Sequence, residues 1–143
     1  MPSSIAGRLA GAILAATCFT AVAHAQDDRC TGGQTPGGVI IVQFDRGQAW
    51  LTPRAQGDLA AVARKAIASK VNLLCLEGFA DASLGQERDL QLALARADAV
   101  ASELAANGYP RDKIFVRKVT DPRRVFGQKE TRTERKVEIR YGR

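Results

Sequence analysis

The sequence predicts an α+β fold in the order β-α-β-α-β-β, one sheet with helices packed on one of its faces. Three observations carry that prediction. Short β-branched runs of strand length alternate with two long segments of helical periodicity. Cap and turn residues punctuate the boundaries between them. Finally, 143 residues, 45% of them apolar and 25% charged, suit a single globular domain with one core. Aromatics are few (one Trp, two Tyr, five Phe), so that core must rest mainly on Ala, Leu, Val and Ile.

The chain opens with a segment that reads as a cleaved secretory signal, residues 1–25. Arg8 is its sole charge, an apolar stretch runs from Leu9 to Phe19, and Ala23-His24-Ala25 forms an A-x-A cleavage site before Gln26. The run is too short and alanine-rich to span a bilayer well, and Ala15-Ala16-Thr17 lacks the pattern that precedes a lipoprotein cysteine at Cys18. No transmembrane segment is expected in the mature chain. Cleavage would also remove the only histidine, His24, which excludes triad hydrolases, His–Cys nucleophile pairs and His-ligated metal sites.

Residues 26–37 are polar and Gly-rich, a flexible lead-in with little to bury. The domain proper is expected over 38–143. Gly38–Phe44 is a first strand, and Asp45–Gln48 a loop. Thr52 is an N-cap with Pro53 at the first helical position. Leu59, Val62, Ala63, Ala66 and Ile67 then form one apolar stripe. Val71–Glu77 is a second strand. A second helix is expected from Gln86 to Asn107, with Ala93, Ala97, Val100, Ala101 and Leu104 on one face and Asn107-Gly108 as its stop. Lys113–Val119 is a third strand, and Thr120–Thr133 is loop. Arg135–Tyr141 alternates as a fourth strand, with Val137, Ile139 and Tyr141 facing in and Lys136, Glu138 and Arg140 facing out.

Export implies an oxidising compartment, and the two cysteines beyond the signal, Cys30 and Cys75, allow one intramolecular bridge. The alternative is a buried Cys75 and a free Cys30 thiol. Charge is uneven. Arg111–Arg143 carries 12 basic and 5 acidic residues, whereas Gln26–Pro110 carries 8 and 10. The basic third suits an anionic surface or simply a solvated face. No nucleic-acid motif with stacking aromatics is present, so no nucleic-acid partner is expected. No cofactor is implied.

The residues with chemistry cluster between the second strand and the second helix. Asp81 follows the strand end. Asp89 and Arg96 lie seven apart on the helix, so two turns bring them to nearly the same side. A carboxylate beside a guanidinium can receive a zwitterion, the one accepting an ammonium and the other gripping a carboxylate with two bonds. The same spacing equally suits an ordinary Asp81–Arg96 salt bridge that orients the loop. Glu87 with Asp89, or Asp81 with Asp89, would form an acid/base pair on paper, but no nucleophile or metal set accompanies them. No enzyme is expected.

From about Val39 to Tyr141 the chain resembles the OmpA-like peptidoglycan-binding domains, periplasmic modules of outer-membrane and flagellar-motor proteins. The resemblance rests on Val42-Gln43-Phe44-Asp45 followed by Leu51-Thr52-Pro53, and on Leu76-Glu77-Gly78-Phe79-Ala80-Asp81. It rests also on the helix Asp89-Leu90-Gln91-Leu92-Ala93-Leu94-Ala95-Arg96-Ala97 and on the closing Glu134-Arg135-Lys136-Val137-Glu138-Ile139. It implies an OmpA-like β-α-β-α-β-β sandwich with one mixed four-stranded sheet. It implies a non-catalytic module that grips the diaminopimelate of the peptide stem through Asp81 and Arg96, aided by backbone N–H groups at the second helix's start. Asp89 and Arg135 are further candidate contacts, Arg135 having the exposed strand charge as its plainer reading.

The implied location is the periplasm, at the cell wall, or at the outer membrane through a partner protein. Three positions depart from the family pattern: Asp89 stands for its Asn, Ala80 for its Thr and Ala93 for its Ser. The 120–129 loop also lacks the family's Gly-rich form. These departures favour a second reading, a protein–protein adaptor of the cell envelope that has lost wall binding. A third is electrostatic attachment to an anionic membrane through the basic third.

Overall fold

The computed structural model describes residues 28–30, 38–80, 86–118 and 135–142. The expected signal segment, most of the expected lead-in, Asp81 and the expected 120–133 loop lie outside the described residues. Within them, a 3-10 turn at Asp28–Cys30 precedes β1 (Ile40–Gln43), α1 (Pro53–Ala68), β2 (Leu74–Gly78), α2 (Gln86–Ala106), a 3-10 turn at Arg111–Lys113, β3 (Ile114–Lys118) and β4 (Lys136–Tyr141). No helix among them is long and apolar enough to cross a membrane.

The four strands form one mixed sheet in the order β1-β4-β2-β3. β2 and β3 run parallel, with Leu76 opposite Val116, and α2 is their crossover. β4 is antiparallel to both neighbours, pairing Ile139 with Ile40 on one side and with Leu76 on the other. The last strand therefore lies between the first and the second. The α+β class and β-α-β-α-β-β order read from the sequence are those observed.

The helices cover the face that carries Val42, Leu74, Leu76, Val137, Ile139 and Tyr141, all core residues. From α1 come Leu59, Ala63 and Ala66, and from α2 Ala97, Val100, Ala101 and Leu104. Thr52 caps α1, its hydroxyl accepting from the Ala55 amide at 3.2 Å. α2 closes on a Schellman motif: Gly108 has φ +91°, the Tyr109 amide donates to Leu104 O and the Gly108 amide to Ala105 O.

Some boundaries differ from expectation for identifiable reasons. β1 begins later than Gly38, whose φ is +85°. Val71 does not open β2. Its amide donates to Ala66 O beyond the end of α1 and its carbonyl accepts the Tyr109 hydroxyl, so it is spent on capping. Ile67, placed by periodicity in the α1 stripe, lies in the last turn of α1 and is 46% exposed.

Glu138 faces the uncovered side of the sheet, as alternation requires, yet is buried. Lys136 and Arg140 fold over it at 2.6 and 2.8 Å. Burial alone would push the Glu138 carboxyl up; the bonds from Lys136 and Arg140 outweigh it and hold the group below its ordinary value. On the same face Cys30 is bridged to Cys75, with the two Cα atoms 5.8 Å apart, and Arg29 lies over the Phe115 ring.

Candidate functional site at the Arg96 junction

Arg96 organises the end of the sheet where β1 and β2 finish. α2 carries it there because α2 lies against the end of β2: a Cβ on Gly78 would overlap the Ala93 carbonyl and press on Ala97. Only glycine permits that approach. One turn beyond Ala93, Arg96 then meets the carbonyl of Phe79, the residue that follows Gly78.

The Arg96 guanidinium is fully buried. Its Nε donates to Gln48 O at 2.8 Å, Nη1 to Phe79 O at 3.0 Å and Nη2 to Asp45 O at 3.1 Å. The Phe44 ring supports it, with Cζ 5.5 Å from the ring centroid. Three nitrogens thus staple the β1–α1 loop, at two points, to the residue that follows β2. Carbonyl oxygens receive the guanidinium N–H groups in three directions, which offsets the cost of burying the cation.

β4 starts at the same junction. The Phe44 amide donates to Arg135 O at 2.8 Å and the Phe79 amide to Lys136 O at 2.9 Å. Strand alternation puts Arg135 on the face of Val137, the helix-covered side on which Arg96 lies. Arg135 is half-buried, more enclosed than a simple exposed strand charge. Lys136 lies over the Phe79 ring, 4.9 Å from its centroid. Two cations therefore flank the start of β4, one on each face.

Asp89 is half-buried in the first turn of α2, together with Glu87, where carboxylates complement the helix dipole. Asp81 lies outside the described residues, in the stretch that joins Ala80 to α2. The structure thus brings Arg96 and Arg135 to one end of the sheet and puts Asp89 two turns before Arg96. Among the described residues no group of three or more His, Cys, Asp or Glu side chains is placed to hold a metal ion.

The partners of Arg96 were not visible to sequence reasoning. Those described above are backbone carbonyls 17, 48 and 51 residues away, and carbonyls leave no side-chain signature. The available signal was indirect: the Phe44-Asp45 and Gly78-Phe79 pairs, which end the two strands that the staple joins.

Comparison with known proteins agrees with this architecture. The chain matches solved structures of the peptidoglycan-associated lipoprotein from Burkholderia pseudomallei (21% identity, 71% of this chain and 88% of that one, TM-score 0.63) and the OmpA-like domain of FopA1 from Francisella tularensis (20%, 71% and 69%, 0.60). It also matches the cell wall anchor of the T6SS from Pseudomonas aeruginosa (24%, 73% and 81%, 0.52). At these identities the likeness is one of fold. No curated protein sequence matches. The family model for the OmpA family spans residues 43–138, from the end of β1 into β4, and the chain belongs to that family.

Proposed function

We propose that this chain is a non-catalytic peptidoglycan-binding module that anchors to the cell wall from the periplasm, gripping the diaminopimelate of the peptide stem between Asp81 and Arg96. The observation that carries the reading is the seat of Arg96. Its guanidinium is held at the meeting point of β1, β2 and α2, donating to the Gln48, Phe79 and Asp45 carbonyls, and Asp81 follows Phe79, one of those acceptors, by two residues in the sequence. Asp81 would take the ligand ammonium. Arg96 would take its carboxylate, with Asp89 and Arg135 shaping the charge around it. Solved relatives described as a peptidoglycan-associated lipoprotein and a cell wall anchor support the reading.

Titration of the protein with a diaminopimelate-containing stem peptide, read on backbone amides around Phe79 and Arg96, tests it. Asp81→Asn should weaken binding by about tenfold or more, as expected for a lost charge-assisted bond. Undiminished binding by Asp81→Asn would overturn the assignment.

One observation favours a second reading. Arg96 is fully buried, so its role as a staple requires no ligand. Together with Asp89, Ala80 and Ala93, this suits a cell-envelope adaptor that keeps the fold without the wall contact. Such an adaptor would bind an envelope protein saturably and leave the amides unmoved by stem peptide.

A further inference from the structure

We propose that the cleft between the C-terminal ends of α1 and α2 binds a small organic anion, one ring or a short chain bearing a carboxylate, with Lys70 and Lys113 as its charge partners. The cleft has a volume of about 230 Å³. That is somewhat below the range of about 300–1,000 Å³ for drug-sized ligands, which sets the scale of the occupant. Ile67, Val71, Tyr109 and Pro110 give it apolar walls, and Lys70, Lys113 and Asn72 supply its polar groups. It lies before the start of β2, whereas Arg96 meets Phe79 just past the end of that strand, so the proposal does not depend on the wall-binding reading.

Both helices close here with the same hydrogen bonds. After α1 the Lys70 amide donates to Ile67 O at 3.0 Å and the Val71 amide to Ala66 O at 2.9 Å, which repeats the Schellman pattern of Gly108 and Tyr109 after α2. The Tyr109 hydroxyl donates to Val71 O at 3.0 Å and so ties the two caps together. The walls are thereby set before any ligand arrives, and little ordering is left to oppose binding.

The two caps differ at their left-handed residue. α2 uses Gly108 (φ +91°); α1 uses Lys70 (φ +53°), the one non-glycine residue with positive φ among the described residues. Glycine adopts that conformation without strain, and a lysine does not. Compensation of the helix dipole does not require Lys70, because Lys65 already occupies the last turn of α1. A side chain held at the cost of backbone strain points to a use beyond the fold, and this one lines the cleft.

The lining decides the class of ligand. Its charged groups are the two lysines; among the described residues no carboxylate lines the cleft, and the neighbouring Asp112 is exposed outside it. The Tyr109 phenol already donates to Val71, so that residue offers a ligand chiefly its ring. An inorganic ion would use the lysines and leave the apolar walls wet. A neutral hydrocarbon would cover the walls, the exposed Ile67 among them, and gain nothing from the lysines. An apolar body with a carboxylate uses both.

Benzoate is the simplest probe. The intact protein is titrated with it at fixed ionic strength, and in parallel with inorganic phosphate and with benzyl alcohol, followed on the backbone amides of residues 67–72 and 108–113. Benzoate should move these amides saturably and bind about fivefold or more tightly than either control. Lys113→Gln should weaken benzoate binding by about three- to tenfold. Lys70→Gly should do the same while raising the urea midpoint, since it removes the strained side chain and leaves the cap intact.

No saturable shift with benzoate, equal binding of either control, or full benzoate affinity in Lys70→Gly overturns the site. A lower urea midpoint in Lys70→Gly would show that the lysine serves the fold, and overturns the argument from strain.

Discussion

Gly78 and Ala93 touch backbone to backbone: the Cα of the strand residue lies so near the Ala93 carbonyl that a methyl group on Gly78 would overlap it. This contact sets the height of α2 over the sheet and with it the position of Arg96. Gly78→Ala should therefore cost about 3 kcal/mol, at the upper end for overpacking a core, because the obstacle is backbone and cannot rotate away. Urea unfolding would give the loss. The Phe79 and Gln48 amides should shift with it as the staple loosens.

Arg96→Lys should not be conservative. Lysine supplies one point charge where the planar fork reaches three carbonyls in three directions. A loss of about 2–4 kcal/mol is expected, from unsatisfied buried acceptors and an ill-placed buried charge. Hydrogen exchange would localise it: the amides of the 45–51 loop should lose protection before those of β2 and β3.

Glu138 makes stability depend on acid. Its carboxyl is held below the ordinary 4.5 in the fold, so its contribution is complete above that pH and is lost as the pH falls through the lower folded value. Glu138→Gln should destabilise the domain at neutral pH by about 1–3 kcal/mol through the loss of two charged bonds. The difference from wild type should shrink as the solution is acidified below 4.5. A constant gap across the titration would show that the two ion pairs contribute nothing.

The Cys30–Cys75 bridge closes a loop of 45 residues. Replacing both cysteines with serine, or reducing the bridge, should cost about 2–4 kcal/mol, chiefly through the freedom regained by the unfolded chain. Thermal unfolding with and without a dithiol reductant would measure it, and an unaltered midpoint would refute it.

Much of the fold was legible because it is periodic. The α2 face of Ala93, Ala97, Val100, Ala101 and Leu104 is buried throughout, and Val137, Ile139 and Tyr141 point inward as alternation demands. Local chemistry was legible too: Thr52 caps α1, and Asn107-Gly108 ends α2. What escaped is non-local. Nothing in the pattern of β4 says that Lys136 and Arg140 will close over Glu138. Val71 looks like a strand residue until the Tyr109 hydroxyl claims its carbonyl. At the candidate site Arg96 was legible as a residue but not in its setting, since the carbonyls it reaches at Asp45, Gln48 and Phe79 come from segments distant in the sequence.

The insertion of β4 between β1 and β2 makes the whole sheet depend on that strand. Until β4 is in place, β1 and β2 have an empty lane between them and expose unpaired edges to each other and to any neighbour. A product truncated before residue 136 would therefore be missing the middle of its sheet, a target for proteases and not a shorter version of the same domain.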